Sequence, residues 1–312
     1  MYILDDGIRL NATIEMPAGN PEKCPLAIII HGFTGHSEEE HLLAVAAMLR
    51  DIGLATLMVD MYGHGKSDGA FKDHTLFKWM NNAMAVIDYA LKLPFVTDLY
   101  LLGHSQGGLT AVLAAALKHE KIKALVPMSP ALMIPDGARS GNLLGMTFDP
   151  DNLPEGVYLE HKEDTLGSNY IRVAQTIHVE DAIDRYTGPV LLVHGDEDMS
   201  VPVSCSIEAA KRYKNADLVI IHGEDHCYHF HLDQVVEAIR QMSITGVLSD
   251  VGTTAEYTST PLISSGSRLF RDAATADFSC FLASSSSCFM FATVLITSSG
   301  LLPRSSIICM QL

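Results

Sequence analysis

Over its first 244 positions the chain alternates short aliphatic runs with longer stretches of helical period. Residues 8–15 read as a strand that runs into the turn residues of 17–20. Residues 26–30 are continuously aliphatic, the pattern of a strand covered on both faces. Ser37-Glu38-Glu39-Glu40 has the form of a capping box and predicts a helix reaching about Asp51, with Gly53 beyond it. Residues 55–59 predict the next strand. Residues 75–93 place apolar side chains at 76, 79, 80, 83, 87, 90 and 91, a helical face that includes the sole tryptophan, Trp79; Pro94 follows. Strands are then expected near Leu99, at 124–128, 190–194 and 218–221, and helices after Ser105, at 203–213 and at 231–241. This alternation predicts an α/β chain with a mostly parallel central sheet and helices on both faces.

Two segments break the rhythm. Between Pro130 and Val190 lie about 60 residues where one helix would suffice, rich in proline, glycine and charge. An insertion there hangs over the carboxyl edge of the sheet, where open α/β folds bind ligands, so 131–188 is expected to be a lid. Near residue 245 the composition changes: ten serines fall in positions 1–244 and fourteen in the last 68, which have no lysine and no histidine. Residues 278–303 carry no charge, but their serines and threonines suit hydrocarbon poorly. Residues 1–244 are therefore read as the domain and 245–312 as an appendage outside it, disordered or artefactual.

Charge and cysteine narrow the chemistry. A formal net charge of −16 argues against nucleic acid and anionic membranes as partners. The first residues lack the basic and long apolar segments of a signal peptide, and the six cysteines form no tight pairs. Reduced thiols and a cytoplasmic setting are expected.

The stretch with the most chemical content is Gly103-His104-Ser105-Gln106-Gly107, a G-x-S-x-G turn between an apolar strand and a helix with Leu109, Val112, Leu113, Ala116 and Leu117 at helical spacing. Side chains at 103 or 107 would collide with so sharp a bend. A serine hydroxyl needs a base to take its proton and a carboxylate behind that base. Both are available in loops that follow predicted strands. The first holds Asp196, Glu197 and Asp198; the second holds His222, Asp225 and His226. His226, His229 and His231 do not have a familiar metal-ligand spacing, so no metal site is expected.

Five separated motifs resemble the α/β-hydrolase superfamily: His31-Gly32-Phe33-Thr34-Gly35, the segment 60–69, Gly103 to Gly107, His194-Gly195 with Asp198 and Val201-Pro202, and Asp225-His226. The likeness is greatest to bacterial cinnamoyl (feruloyl) esterases and covers about residues 1–241. It implies an α/β-hydrolase fold and a serine carboxylesterase acting on hydroxycinnamate esters without a cofactor. In it Ser105 is the nucleophile, His226 the base and Asp198 the acid. Asp196 is the rival acid, otherwise a turn residue, and His222 is the rival base. The backbone amides of Phe33 and Gln106 form the oxyanion hole, and Phe33 also lines the acyl pocket or simply packs. Tyr170 and Gln175, in the lid, are candidate contacts to a ring hydroxyl or ordinary lid packing. His31, His64 and His104 are expected to be structural, and Cys227 a packing thiol. The expected partner is a small-molecule ester, with a homodimer left open. Rival functions are a lipase-like esterase for short or medium aliphatic acyl chains, an acyltransferase, and a non-catalytic receptor on the same fold.

Overall fold

In the computed structural model, residues 1–143, 145–159 and 163–242 are described, and the predicted tail at 245–312 lies outside them. The strands and helices follow in the order β1 (Tyr2–Asp5), β2 (Ile8–Glu15), β3 (Cys24–Ile30), α1 (Glu40–Asp51), β4 (Ala55–Val59), α2 (Leu76–Ala90), β5 (Val96–His104), α3 (Gln106–Leu117) and β6 (Ile122–Met128). The insertion then contributes α4 (Ile134–Ser140), the short hairpin β7 (Asn142–Leu143) with β8 (Met146–Thr147), and a second hairpin, β9 (Gly156–Leu159) with β10 (Asp164–Gly167). It ends with α5 (Ser168–Gln175) and α6 (Val179–Arg185), and the chain closes with β11 (Val190–Gly195), α7 (Ser204–Arg212), β12 (Ala216–Ile221) and α8 (Leu232–Met242).

Eight strands form one sheet in the order β1-β2-β4-β3-β5-β6-β11-β12. From β4 to β12 every neighbouring pair is parallel, while β1 and β2 add an antiparallel edge. β3 is buried at all seven positions because both faces are covered. Alternate residues feed two cores. Ile28, Ile30, Leu101, Leu125 and Leu192 pack with α2, α3 and α6. Ala27, Ile29, Leu102, Val126 and Val193 pack with α1 and α8. The fold is that of an α/β hydrolase. α6, the last part of the expected lid, packs on α3 and α7, so it is the crossover helix covering the sheet between β6 and β11. No helix among the described residues is long and apolar enough to cross a membrane.

The capping box does not form. Glu39 is the cap of α1 and makes no side-chain capping bond. Ser37 is held elsewhere: its amide donates to Asp60 Oδ1 at 2.7 Å. Asp60, only 2% exposed, also accepts from the Lys66 amide at 2.9 Å and from Asn11 Nδ2 at 2.9 Å. This one carboxylate ties the loop after β3 to the loop after β4. Burial alone would raise its pKa, but the bonds from the Lys66 and Ser37 amides and from Asn11 outweigh that and hold it below the usual value.

Removing the carboxylate orphans three donors. Asp60→Ala should cost about 2–4 kcal/mol, read as a lower urea midpoint at unchanged slope. Because the folded pKa is depressed, this contribution is complete above the ordinary Asp pKa and is lost as pH falls through the folded value. The wild-type minus Asp60→Ala difference should therefore shrink in acid.

Candidate active site

Ser105 lies where β5 turns abruptly into α3, with φ 54° and ψ −120°. That backbone is unfavourable for any residue with a Cβ. It is held on three sides: the Ser105 amide donates to Met128 O at 2.9 Å, and its carbonyl accepts from Leu109 at 3.1 Å and Ala131 at 3.0 Å. The turn closes only because its flanks lack side chains. A Cβ at Gly103 would overlap the Gly107 carbonyl, and one at Gly107 would overlap the carbonyls of Ile30 and His31. The collision expected from the sequence is therefore real, and it involves backbone that cannot move aside.

Asp198 and His226 arrive at the same edge. Asp198 follows β11, His226 follows β12, and both strands run parallel to β5, so their loops leave the sheet beside the Ser105 bend. His226 Nδ1 donates to Asp198 Oδ2 at 2.6 Å. The Asp198 carboxylate is wholly buried and the imidazole is 18% exposed. Asp198 Oδ1 accepts the amides of Ser200 and Val201, each at 2.8 Å. His194 Nε2 lies 3.2 Å from Oδ2 and 3.0 Å from the Val201 carbonyl, while its Nδ1 meets the Ser206 hydroxyl at 2.7 Å. Burial pushes the Asp198 pKa up, but the bonds from His194 and His226 and the nearby Val201 amide overcome this and hold it well below the usual carboxylate range. Asp196 and His222 take no part in this arrangement. They pair with each other at 2.7 Å on the exposed rim, and Asp196 also accepts the Gly223 amide.

The loop after β3 reaches the bend from the opposite side. A Cβ on Gly32 would stand 3.1 Å from Ser105 Cβ and 3.2 Å from His104 Nδ1. Among the described residues, neither the Phe33 nor the Gln106 amide is spent on another protein group. Gln106 opens α3, where backbone N–H groups have no intrahelical partner and the helix dipole favours negative charge.

The two residues singled out in the insertion turn out differently from each other. Tyr170 is fully buried, and its hydroxyl donates to Gln106 Oε1 at 2.6 Å while its ring packs on Phe33 and His74. It therefore braces the residue after Ser105. Gln175 stays within the insertion: its amide nitrogen donates to the carbonyls of Pro150 at 2.9 Å and Ala138 at 3.2 Å. Of the two readings open for Gln175, ring-hydroxyl contact or packing within the insertion, these two bonds supply the packing.

His31 and His64 are structural, as expected. His31 Nε2 accepts the Met61 amide at 3.0 Å, and His64 Nε2 accepts the Thr34 amide at 3.3 Å. Burial raises the Cys227 thiol to about 11, which suits a packing role. Sequence reasoning missed two supports of the site. His194 is a second donor to Asp198; its place at the end of β11, four residues before the carboxylate, was the available signal. Glu224 is fully buried and gathers the amides of Asp225, Phe230 and His231 around one carboxylate, shaping the loop that holds His226. An acidic residue inside a polar loop gives no sequence sign of such burial.

Comparison with known proteins bears on the family. The family model for serine aminopeptidases of the S33 group matches residues 21–155. The chain is 59% identical to Est1E from Butyrivibrio proteoclasticus, solved with ferulic acid bound; that match has a TM-score of 0.77 and covers 78% of this chain and 98% of that one. It is 26% identical over 209 residues to the human mitochondrial palmitoyl-protein thioesterase ABHD10, covering 64% of this chain and spanning 65% of that relative's length. Human monoglyceride lipase is 26% identical over 264 residues, with 75% of this chain and 85% of the lipase covered. With the sheet order, the strained serine bend and the buried carboxylate–imidazole pair, these likenesses make the chain a member of the α/β-hydrolase superfamily that resembles the feruloyl esterases.

Proposed function

We propose that the chain hydrolyses hydroxycinnamate esters, of which feruloyl esters are the type, through an acyl-serine intermediate. One observation carries the reaction: the 2.6 Å bond from His226 to the buried Asp198, on the sheet edge where Ser105 is held in its bend. Ser105 Oγ attacks the ester carbonyl as its proton passes to Nε2 of His226. Asp198 accepts from Nδ1, fixes the tautomer and stabilises the imidazolium. The amides of Phe33 and Gln106 hold the tetrahedral oxyanion, where each such donor is worth about 10²–10³ in rate. The C–O bond then breaks, and the alcohol leaves with the proton from His226. Water, deprotonated by the same ring, attacks the acyl-serine to release the acid and restore Ser105. The depressed Asp198 pKa keeps that carboxylate ionised across the neutral range.

The acyl class is supported by the 59% identity to Est1E with ferulic acid bound. Phe33, half-buried beside the oxyanion loop, packs over Phe71, His74 and Tyr170 and offers an aromatic surface to the ring of the acyl group. The insertion serves as a lid over this pocket. The likeness to monoglyceride lipase favours a second reading, hydrolysis of short or medium aliphatic esters.

Three variants test the assignment. Ser105→Ala should abolish turnover without lowering the thermal midpoint. Asp198→Asn should lower kcat by about 10⁴, the scale set when a triad carboxylate loses its charge. Asp196→Asn should leave kcat almost unchanged, since that side chain pairs with His222; a severe loss there with a mild one at 198 would exchange the two roles. For the acyl group, kcat/KM for methyl ferulate should exceed that for a butyrate ester by about tenfold or more, about 1.4 kcal/mol of transition-state discrimination. A tenfold preference for butyrate would replace the aromatic reading with the aliphatic one.

A further inference from the structure

His104 was expected to be structural, but its contacts give it a more specific task. It is the last residue of β5 and sits immediately before Ser105, only 3% exposed. Its Nε2 lies 2.8 Å from the backbone carbonyl of His226, 122 positions away. A carbonyl only accepts, so Nε2 carries the hydrogen and the ring is in one defined tautomer. Its Nδ1 is buried without a hydrogen-bond partner among the described residues, so the Nε2 bond is the ring's polar anchor. The ring packs on the His226 imidazole at 4.7 Å between centroids, on His41 at 4.4 Å and on Tyr228 at 5.6 Å. Gly32, which opens the oxyanion loop, lies against its Nδ1 edge.

A leucine would fill this volume without the cost of burying an imidazole. What leucine could not do is hold the His226 backbone. We propose that His104 is a positioning residue: through its hydrogen bond to the His226 carbonyl it fixes the loop of the general base against the bend that presents Ser105. The proposal rests on the Ser105–His226 reading given above. The ring must also stay neutral, because a second cation beside His226 would oppose the imidazolium formed during the reaction. The titratable groups facing it are His41 from α1, His226 and Tyr228 from the loop after β12, and Asp198 from the loop after β11. Burial drives its pKa well below the ordinary histidine value, and His41 and His226 push the same way. His41 is itself buried and lowered to about 4, so both rings beside His226 remain uncharged near neutrality.

The test is steady-state kinetics on methyl ferulate with the full chain and three variants, beside Ser105→Ala. His104→Gln places an amide N–H where Nε2 was; His104→Asn places one near Nδ1, too short to reach the carbonyl; His104→Leu has none. Leu and Asn should lower kcat about 10–100-fold, the loss expected for a displacement of about 1 Å at a reacting pair, with KM within threefold. Gln should recover kcat to within about fivefold of wild type, a rescue that packing alone would not produce. Should His104→Leu fail to fold, the Gln and Asn pair decides the matter. Equal kcat in Gln and Asn, or a kcat within twofold of wild type in Leu, overturns the proposal while leaving Ser105-dependent turnover intact. Turnover that survives in Ser105→Ala instead overturns the acyl-serine reading, and the proposal falls with it.

Discussion

The bend at Ser105 is the constraint on which the rest of the site depends. A non-glycine residue held at φ 54° and ψ −120° costs on the order of 1–3 kcal/mol and persists only where its surroundings over-determine it. Here they do. Three backbone hydrogen bonds fix the serine between β6 and α3, and bare glycines on either side let β3 and the turn close to contact. The return on that strain is geometric. It lifts one side chain off the end of a central strand and leaves the first amides of α3 beside it.

Buried carboxylates organise the loops around that bend, and each is supplied with donors. Asp60 joins the loops after β3 and β4, Asp198 receives two amides and two imidazoles, and Glu224 collects three amides. An unpaired buried charge would cost several kcal/mol, so these loops cannot relax without leaving an oxygen unsatisfied. This is how irregular segments at a sheet edge gain the rigidity that catalysis needs. The same economy extends to the insertion, where Tyr170 is tied to Gln106 and Gln175 to the carbonyls of Ala138 and Pro150.

Much of this was legible in the sequence, for stated physical reasons. Strands buried on both faces announce themselves as aliphatic runs, as in the expected strands at 26–30, within β3, and at 55–59, which is β4. The pairing of Asp198 with His226, rather than Asp196 with His222, followed from resemblance and agrees with the burial found. Other features were hidden. β1 is a four-residue edge strand whose only periodic signal is Ile3 buried between exposed Tyr2 and Leu4, although Asp6-Gly7, both at positive φ, carries a hairpin signature. The capping box failed because Asp60, distant in sequence, outcompeted the helix for the Ser37 amide. The donors that His194 and Glu224 manage are fixed by tertiary packing, which local pattern does not encode.

The relatives include a palmitoyl-protein thioesterase and a monoglyceride lipase, so the shared fold alone does not fix an acyl group. The proposed chemistry depends on Ser105 becoming an acyl carrier. Rapid mixing with methyl ferulate, acid quench and mass mapping of peptides tests that directly. The account predicts a transient gain of one feruloyl group, less a proton, on the peptide bearing Ser105. An enzyme that turns over while that peptide stays unmodified, or that carries the acyl group on another residue, would contradict it.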